Sequence, residues 1–366
     1  MPAQGTLSLM LPPRTETMSL TRKIAGALMV LALLVAACSS GTSGESPQTI
    51  TLLAHDSFAG GATDATFASF TQKTGIEVKV IAAGDAGSMV NQAILTKDNP
   101  LADVLFGVDD TFLSRALDED IFLNHKAEDI NRVPPDLVDR GHRVTPIDFG
   151  DVCINYDKGW FESTQLVVPE TLMDLRANIY ASHLTVEHPA TSSPGLAFML
   201  ATIDEFGEDG WLDYWADLRR ADVNVAADWD SAYYGDFFRY GGQSSMVVSY
   251  ASSPPAEVIF AEEPTDTAPT GVIEAGCYRQ VEYAGILAGT DYPEAAAKLV
   301  DFMLSVEFQE TIPLTWFVFP ANRDAELPQE FVDHAVVPED PARFAANYIA
   351  ENRDRWIKEW IEVMEG

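Results

Sequence analysis

The sequence predicts an α/β protein of two lobes joined by two crossing strands, with a ligand cleft between the lobes. Three observations predict it. Apolar runs of strand length alternate with amphipathic helical stretches through residues 50–118. Residues 144–157 and 277–287 read as passages into and back out of a second lobe. About 320 residues remain once the N-terminal segment is set aside, enough for two real cores.

The N-terminal segment reads as an export signal. Arg22 and Lys23 precede an apolar run over residues 24–37, too short for a bilayer span and suited to a signal-peptide core. The run ends in Val35-Ala36-Ala37-Cys38, which resembles a bacterial lipobox. That resemblance implies cleavage before Cys38 and lipidation of its thiol. An ordinary signal peptide with an incidental Cys38 is the alternative. Residues before Met18 lack signal character, so Met18 could be the start. Residues 38–47 are Ser/Gly-rich and read as a flexible tether. The expected product is an extracytoplasmic lipoprotein held at the cell membrane.

The elements follow in order. Residues 50–56 read as a buried strand, 61–73 as a helix with Phe67 and Phe70 inward, and 76–82 as an alternating strand. A helix follows at 87–97, with Met89, Val90, Ala93 and Ile94 on one face. Residues 102–108 form a third strand and 111–118 a third helix. In the second lobe, helices are expected at 170–177, 195–206 and 208–221, and strands at 183–187 and 245–250. Residues 292–311 form an amphipathic helical region with Ala296, Leu299, Val300, Met303 and Phe308 inward. A last helix over 341–364 carries Trp356 and Trp360 as core packing. The first lobe takes residues 48–145 and 284–335, the second 146–283, and residues 336–366 pack on both as a C-terminal helical segment.

Charge narrows the partners. The chain has 23 Lys and Arg against 56 Asp and Glu. Losing residues 1–37 removes three basic residues and one acid and leaves a net charge of −35. That opposes nucleic-acid binding, which needs basic patches. A salt-adapted surface accounts for most of the charge, so local carboxylates matter more than the sum. Three polar clusters directly follow the first three strands: His55-Asp56-Ser57, Gly84-Asp85 with Ser88, and Asp109-Asp110. Ligands in open α/β sheets bind at the carboxyl ends of strands. Each cluster also precedes a helix, so Asp56, Asp85 and Ser88 are helix caps as readily as ligand contacts.

HDSFA (55–59), DAGS (85–88), ADVLFGVDD (102–110), PIDFGDVCINYD (146–157), TSSPGLAFML (191–200), DWDSAYYGDFF (228–238), VVSYASSPP (247–255), YRQVEYAGIL (278–287) and FVFPAN (317–322) occur in this order. Together they closely resemble the thiamine-binding subunits of bacterial ABC importers, over about residues 48–364. The resemblance implies a type II periplasmic-binding-protein fold. The ligand would be thiamine, thiamine monophosphate or thiamine pyrophosphate, and the partner an ABC transporter permease. A monomer with no catalytic residue, resident metal or cofactor is expected.

The ligand's chemistry points to particular residues. A thiazolium cation seeks aromatic faces and carboxylates. Trp229, Tyr233, Tyr250, Trp316 and Phe317 are the aromatic candidates. Asp85 matches a family carboxylate at the cleft, with Asp56 and Asp109 on the same sheet edge. Ser193 and Pro194 open a helical run whose free N–H groups suit an anion. The resemblance accordingly implies Ser192 and Ser193 as phosphate contacts. Three positions depart from the family pattern: His55 stands where some members have a Tyr, Ala256 where some use a stacking Tyr, and Trp316 precedes a slot filled by Phe317.

Two other functions fit some of these residues. A thiaminase I-like enzyme would use Cys153 as nucleophile and Glu282 as base. If the two crossings are adjacent, a Cys153–Cys277 disulfide or a buried thiol stands against it. A ferric-ion binder of the same fold would use Tyr233-Tyr234, His55 and a carboxylate.

Overall fold

A computed structural model describes residues 48–366. The basic region, the apolar run, Cys38 and the tether lie outside the described residues. Among the described residues no helix is long and apolar enough to cross a membrane.

Among the described residues nine strands build one mixed sheet: β1 (Thr49–Ala54), β2 (Glu77–Ala82), β3 (Val104–Asp109), β4 (Thr145–Asp157), β5 (Leu184–Glu187), β6 (Asn224–Ala226), β7 (Met246–Tyr250), β8 (Thr270–Ile286) and β9 (Phe319–Pro320). Their order is β2-β1-β3-β8-β4-β7-β5-β6, with β9 alongside β4. β1 pairs in parallel with β2 and β3, and β5 pairs in parallel with β6 and β7. The two central strands run antiparallel to each other and to their outer neighbours. β3 is buried along its whole length, as the apolar run without alternation requires.

The register makes the two halves face each other. β3 runs toward Asp109, which pairs with Glu282 of β8. β7 runs toward Tyr250, which pairs with Val152 of β4. Asp148 of β4 itself pairs with Glu282. The carboxyl ends of both outer sets of strands therefore converge on the middle of the two crossing strands. Cys153 of β4 and Cys277 of β8 are joined there as a disulfide, with Cα atoms 4.4 Å apart. Both are buried beside Ala251.

Local chemistry explains where the helices differ from expectation. The predicted 61–73 helix is two helices, Asp56–Gly61 and Ala68–Thr74. Between them Thr63 N–H donates to the Thr66 hydroxyl at 2.9 Å, a side-chain turn that replaces helical bonding. No helix covers 170–177. The Asp174 carboxylate accepts from the Glu170 and Thr171 N–H groups, leaving one short turn at Asp174–Arg176. The two helices expected at 195–206 and 208–221 run together as Ser193–Arg220, broken only at Gly207, where φ is 69°. The 292–311 region divides at Ser305, whose backbone is extended, into Pro293–Leu304 and Val306–Gln309.

The last helix is Ala346–Met364. Trp356 and Trp360 are 0% and 1% exposed. Trp360 meets Trp215 of Ser193–Arg220 edge-on at 5.4 Å, and the Arg353 guanidinium lies over Phe112 of helix Asp110–Asp118 at 5.7 Å. This helix thus packs against elements from both sides of the sheet. At about 25 cal/mol per Å2, a buried tryptophan contributes several kcal/mol of hydrophobic stabilisation.

Candidate functional site

A cavity of about 540 Å3 opens where the two sets of strand ends converge. Nine of the predicted ligand residues line it: His55, Asp56, Asp85, Ser193, Trp229, Tyr233, Tyr250, Trp316 and Phe317. Each is placed by a short-range rule. His55 directly follows β1 and caps helix Asp56–Gly61, its Nδ1 accepting the Phe58 N–H at 3.3 Å. That bond leaves the ring proton on Nε2, which lies 3.3 Å from the Glu282 carboxylate. Gly107 makes the room: its φ is +97°, and a Cβ there would collide with the imidazole. Asp85 caps helix Ala86–Leu95 through Ala86 N–H at 2.7 Å, and its other oxygen accepts the Trp229 N–H at 3.4 Å. Capping and placement at the cavity coexist in Asp85. Asp56 binds back to Gly84 N–H at 2.8 Å and faces solvent at the rim.

The aromatic wall is built as a panel. Trp229 and Tyr233 stack at 5.0 Å with their planes 16° apart, and Tyr234 meets both edge-on. Trp229 Nε1 donates to the Ser249 hydroxyl at 3.0 Å, and the buried Tyr233 hydroxyl donates to Glu257 at 2.8 Å. Opposite, Trp316 stacks on Phe58 at 4.4 Å and donates to the Phe58 carbonyl. Phe317 sits in the left-handed region at φ 57° and meets Phe260 edge-on. Ala256 also lines the cavity.

Two predicted residues stand outside the cavity lining. Asp109 is fully buried; it caps helix Asp110–Asp118 and accepts from the Thr111 hydroxyl and from Gln280 Nε2 at 2.8 Å. Gln280 in turn accepts the Tyr250 hydroxyl at 2.7 Å. Asp109 therefore reaches the cavity only through Gln280 and Tyr250. Ser192 is buried at the cap position before helix Ser193–Arg220, behind the lining and beside Asp85.

Sequence reasoning missed Asp148 and Asp230 as lining residues, considered Glu282 only as a base, and named Tyr234 only with Tyr233 in the ferric-ion reading. Asp148 and Glu282 sit on the crossing strands, where they pair across the ladder. Nothing in a single apolar strand pattern marks two carboxylates as partners. Asp230 accepts the Ser57 hydroxyl at 3.2 Å, a bond between the two sides of the cavity.

The electrostatics are crowded. Burial raises the Asp85 and Asp148 carboxyls; His55 partly offsets it at Asp85, while the charge of Glu282 adds to it at Asp148. Burial also raises Glu282, but His55 beside it pulls it net below the usual range. His55 is lowered by burial, yet Glu282, then Asp85 and Asp230, bring it net above its ordinary value. Behind the cavity, burial pushes up Asp109, Asp110 and Glu187, with like charges adding at Asp109 and Glu187.

These directions fix a pH dependence. A carboxyl whose native pKa exceeds its unfolded value of about 4 keeps a proton that the unfolded chain has released. Its contribution to stability is therefore lost as pH rises above about 4 toward the raised native value. Glu282 works the other way, its contribution fading as pH falls through its lowered value. Between pH 5 and 8 the raised carboxyls, among them Asp85, Asp109, Asp110, Asp148 and Glu187, set the trend, because Glu282 and the other lowered carboxyls change below that window. The urea midpoint is expected to be higher at pH 5 than at pH 8, and a midpoint that rises with pH would contradict this balance.

Residues 99–352 match the family model for bacterial extracellular solute-binding protein. The thiamine-binding periplasmic protein of Salmonella typhimurium (strain LT2) is 30% identical over 314 residues, 85% of this chain and 92% of the relative. Its counterpart in Escherichia coli (strain K12) matches to the same extent. A solved periplasmic thiamin binding protein superposes with a TM-score of 0.76 at 27% identity, covering 86% of this chain and 96% of that one.

Proposed function

The chain belongs to the bacterial extracellular solute-binding proteins, with the type II periplasmic-binding-protein fold, and from that premise we propose that it captures thiamine or a thiamine phosphate and hands it to an ABC-type permease. The observation that carries the ligand is the cavity itself. It pairs an aromatic panel, Trp229 on Tyr233, with the carboxylates of Asp85, Asp230 and Glu282. A flat heteroaromatic cation needs that combination. The names of the relatives point the same way.

The remaining parts of the reading form a coherent device. Cys38 carries the lipid that holds a monomer at the outer face of the cell membrane. Residues 48–145 with 284–335 close against residues 146–283 by hinging on β4 and β8, while residues 336–366 pack on both. The protein binds without catalysis. Cys153, the thiol a thiaminase-like reaction would need, is tied to Cys277. A ferric site is less well supported, because the Tyr233 hydroxyl donates to Glu257 and its ring is 2% exposed.

Isothermal titration with thiamine tests the reading directly. Micromolar or tighter binding is expected, with a colourless protein in the presence of ferric ion. Trp229→Ala should weaken thiamine binding by about 1–2 kcal/mol, the worth of a desolvated cation–π contact. Unchanged affinity would remove Trp229 from the ligand contacts.

A further inference from the structure

We propose that this cavity selects unphosphorylated thiamine over thiamine monophosphate and thiamine pyrophosphate. The inference rests on the thiamine reading above and narrows it. Five acidic side chains, Asp56, Asp85, Asp148, Asp230 and Glu282, are among the described residues lining the cavity, with Asp148 held toward its neutral form by burial and by Glu282, and no Lys or Arg is. His55 is the sole basic side chain among them, and Glu282 already faces it at 3.3 Å. A phosphate monoester brings about −1.5 to −2 charges at neutral pH. Like charge in a partly desolvated cavity repels more strongly than in water.

Several donors that could offset this repulsion are already engaged. The Thr191 hydroxyl donates to the Ala227 carbonyl at 2.7 Å. The Thr191 and Ser192 N–H groups both donate to the His188 carbonyl. The Ser192 hydroxyl is buried outside the lining. At the start of helix Ser193–Arg220 the cavity meets Ser193 and Pro194, and Pro194 has no N–H to give. The Ser193 hydroxyl and the Ser193 and Gly195 N–H groups remain as donors at this end. A helix N-terminus holds phosphate through several converging N–H groups, aided by its dipole. Here that set is thinned while the acid count stays high. The thiazolium and aminopyrimidine need no such donors and gain from the same carboxylates.

The test titrates the full chain calorimetrically with thiamine, thiamine monophosphate and thiamine pyrophosphate, at low and high salt. Thiamine is expected to bind at least tenfold tighter than the monophosphate, with the pyrophosphate weaker again. High salt should narrow the gap, because screening weakens repulsion at the open rim. Asp230→Asn keeps the acceptor for Ser57 and removes one charge, so it should weaken thiamine and shrink the thiamine-to-pyrophosphate ratio at least threefold. Thiamine and pyrophosphate binding within threefold of each other would overturn the selectivity and leave the thiamine reading standing. A ratio unmoved by Asp230→Asn would overturn its electrostatic basis. Binding of none of the three would sink the thiamine reading and the selectivity together.

Discussion

Replacing both Cys153 and Cys277 with Ala is expected to lower the unfolding free energy by about 2–5 kcal/mol. The bridge spans a sequence separation of 124 residues, and in the chain-entropy model so long a loop gives a cross-link close to its largest effect. The loop it closes includes β5, β6, β7 and helix Ser193–Arg220, so the free chain loses the restraint on nearly all of one side of the sheet. The native state should survive, because β4 and β8 remain paired along their lengths and Ala251 stays buried against the site. Denaturant titration of the oxidised protein and the double variant measures the loss. Coincident midpoints would mean that the unfolded chain gains no freedom from the missing bond.

Asp85→Asn is expected to weaken thiamine binding by about 1.5–3 kcal/mol, the range for hydrogen bonds to a charged group. Asn keeps the capping bond to Ala86 N–H that Asp85 makes at 2.7 Å, so stability should change by less than about 1 kcal/mol. The change removes a negative charge at the floor of the cavity and weakens the bond that ties Trp229 N–H across it. Calorimetric titration beside a urea melt separates the two effects. Equal affinity in the variant would show that Asp85 serves the helix and not the ligand. A large fall in stability with unchanged binding would point to the same conclusion.

Much of this was legible in the residues. Alternation of apolar runs with helical faces gives β1 to β3 and their helices nearly in place. The rule that ligands gather at carboxyl ends of strands singles out His55, Asp56 and Asp85, all on the lining. Trp229, Tyr250 and Ser193 follow from the family resemblance. The failures have physical reasons. Asp109 obeys the same positional rule but turns inward, because Thr111 and Gln280 satisfy its oxygens. Ser192 and Ser193 are neighbours in sequence, but only the helix geometry decides which one meets the cavity. Asp148 and Glu282 are paired by a ladder register between segments far apart in the chain. The helix expected over 170–177 is lost to a single competing carboxylate at Asp174.

The strand order has a consequence for how the chain is made. β3 has β8 as its inner neighbour, and the contact between Asp109 and Gln280 joins residues 171 apart in sequence. Every apolar side chain that β3 buries against β8 waits for that distant segment. Closing so long a loop carries its entropy cost before the pairing repays it, which slows folding. A ribosome that has released only the first 150 residues has made a sheet that lacks its centre. The N-terminal portion cannot lock into a finished domain early. The export we propose for this protein would gain from that delay, since a chain that passes a membrane pore in extended form must not close its sheet first.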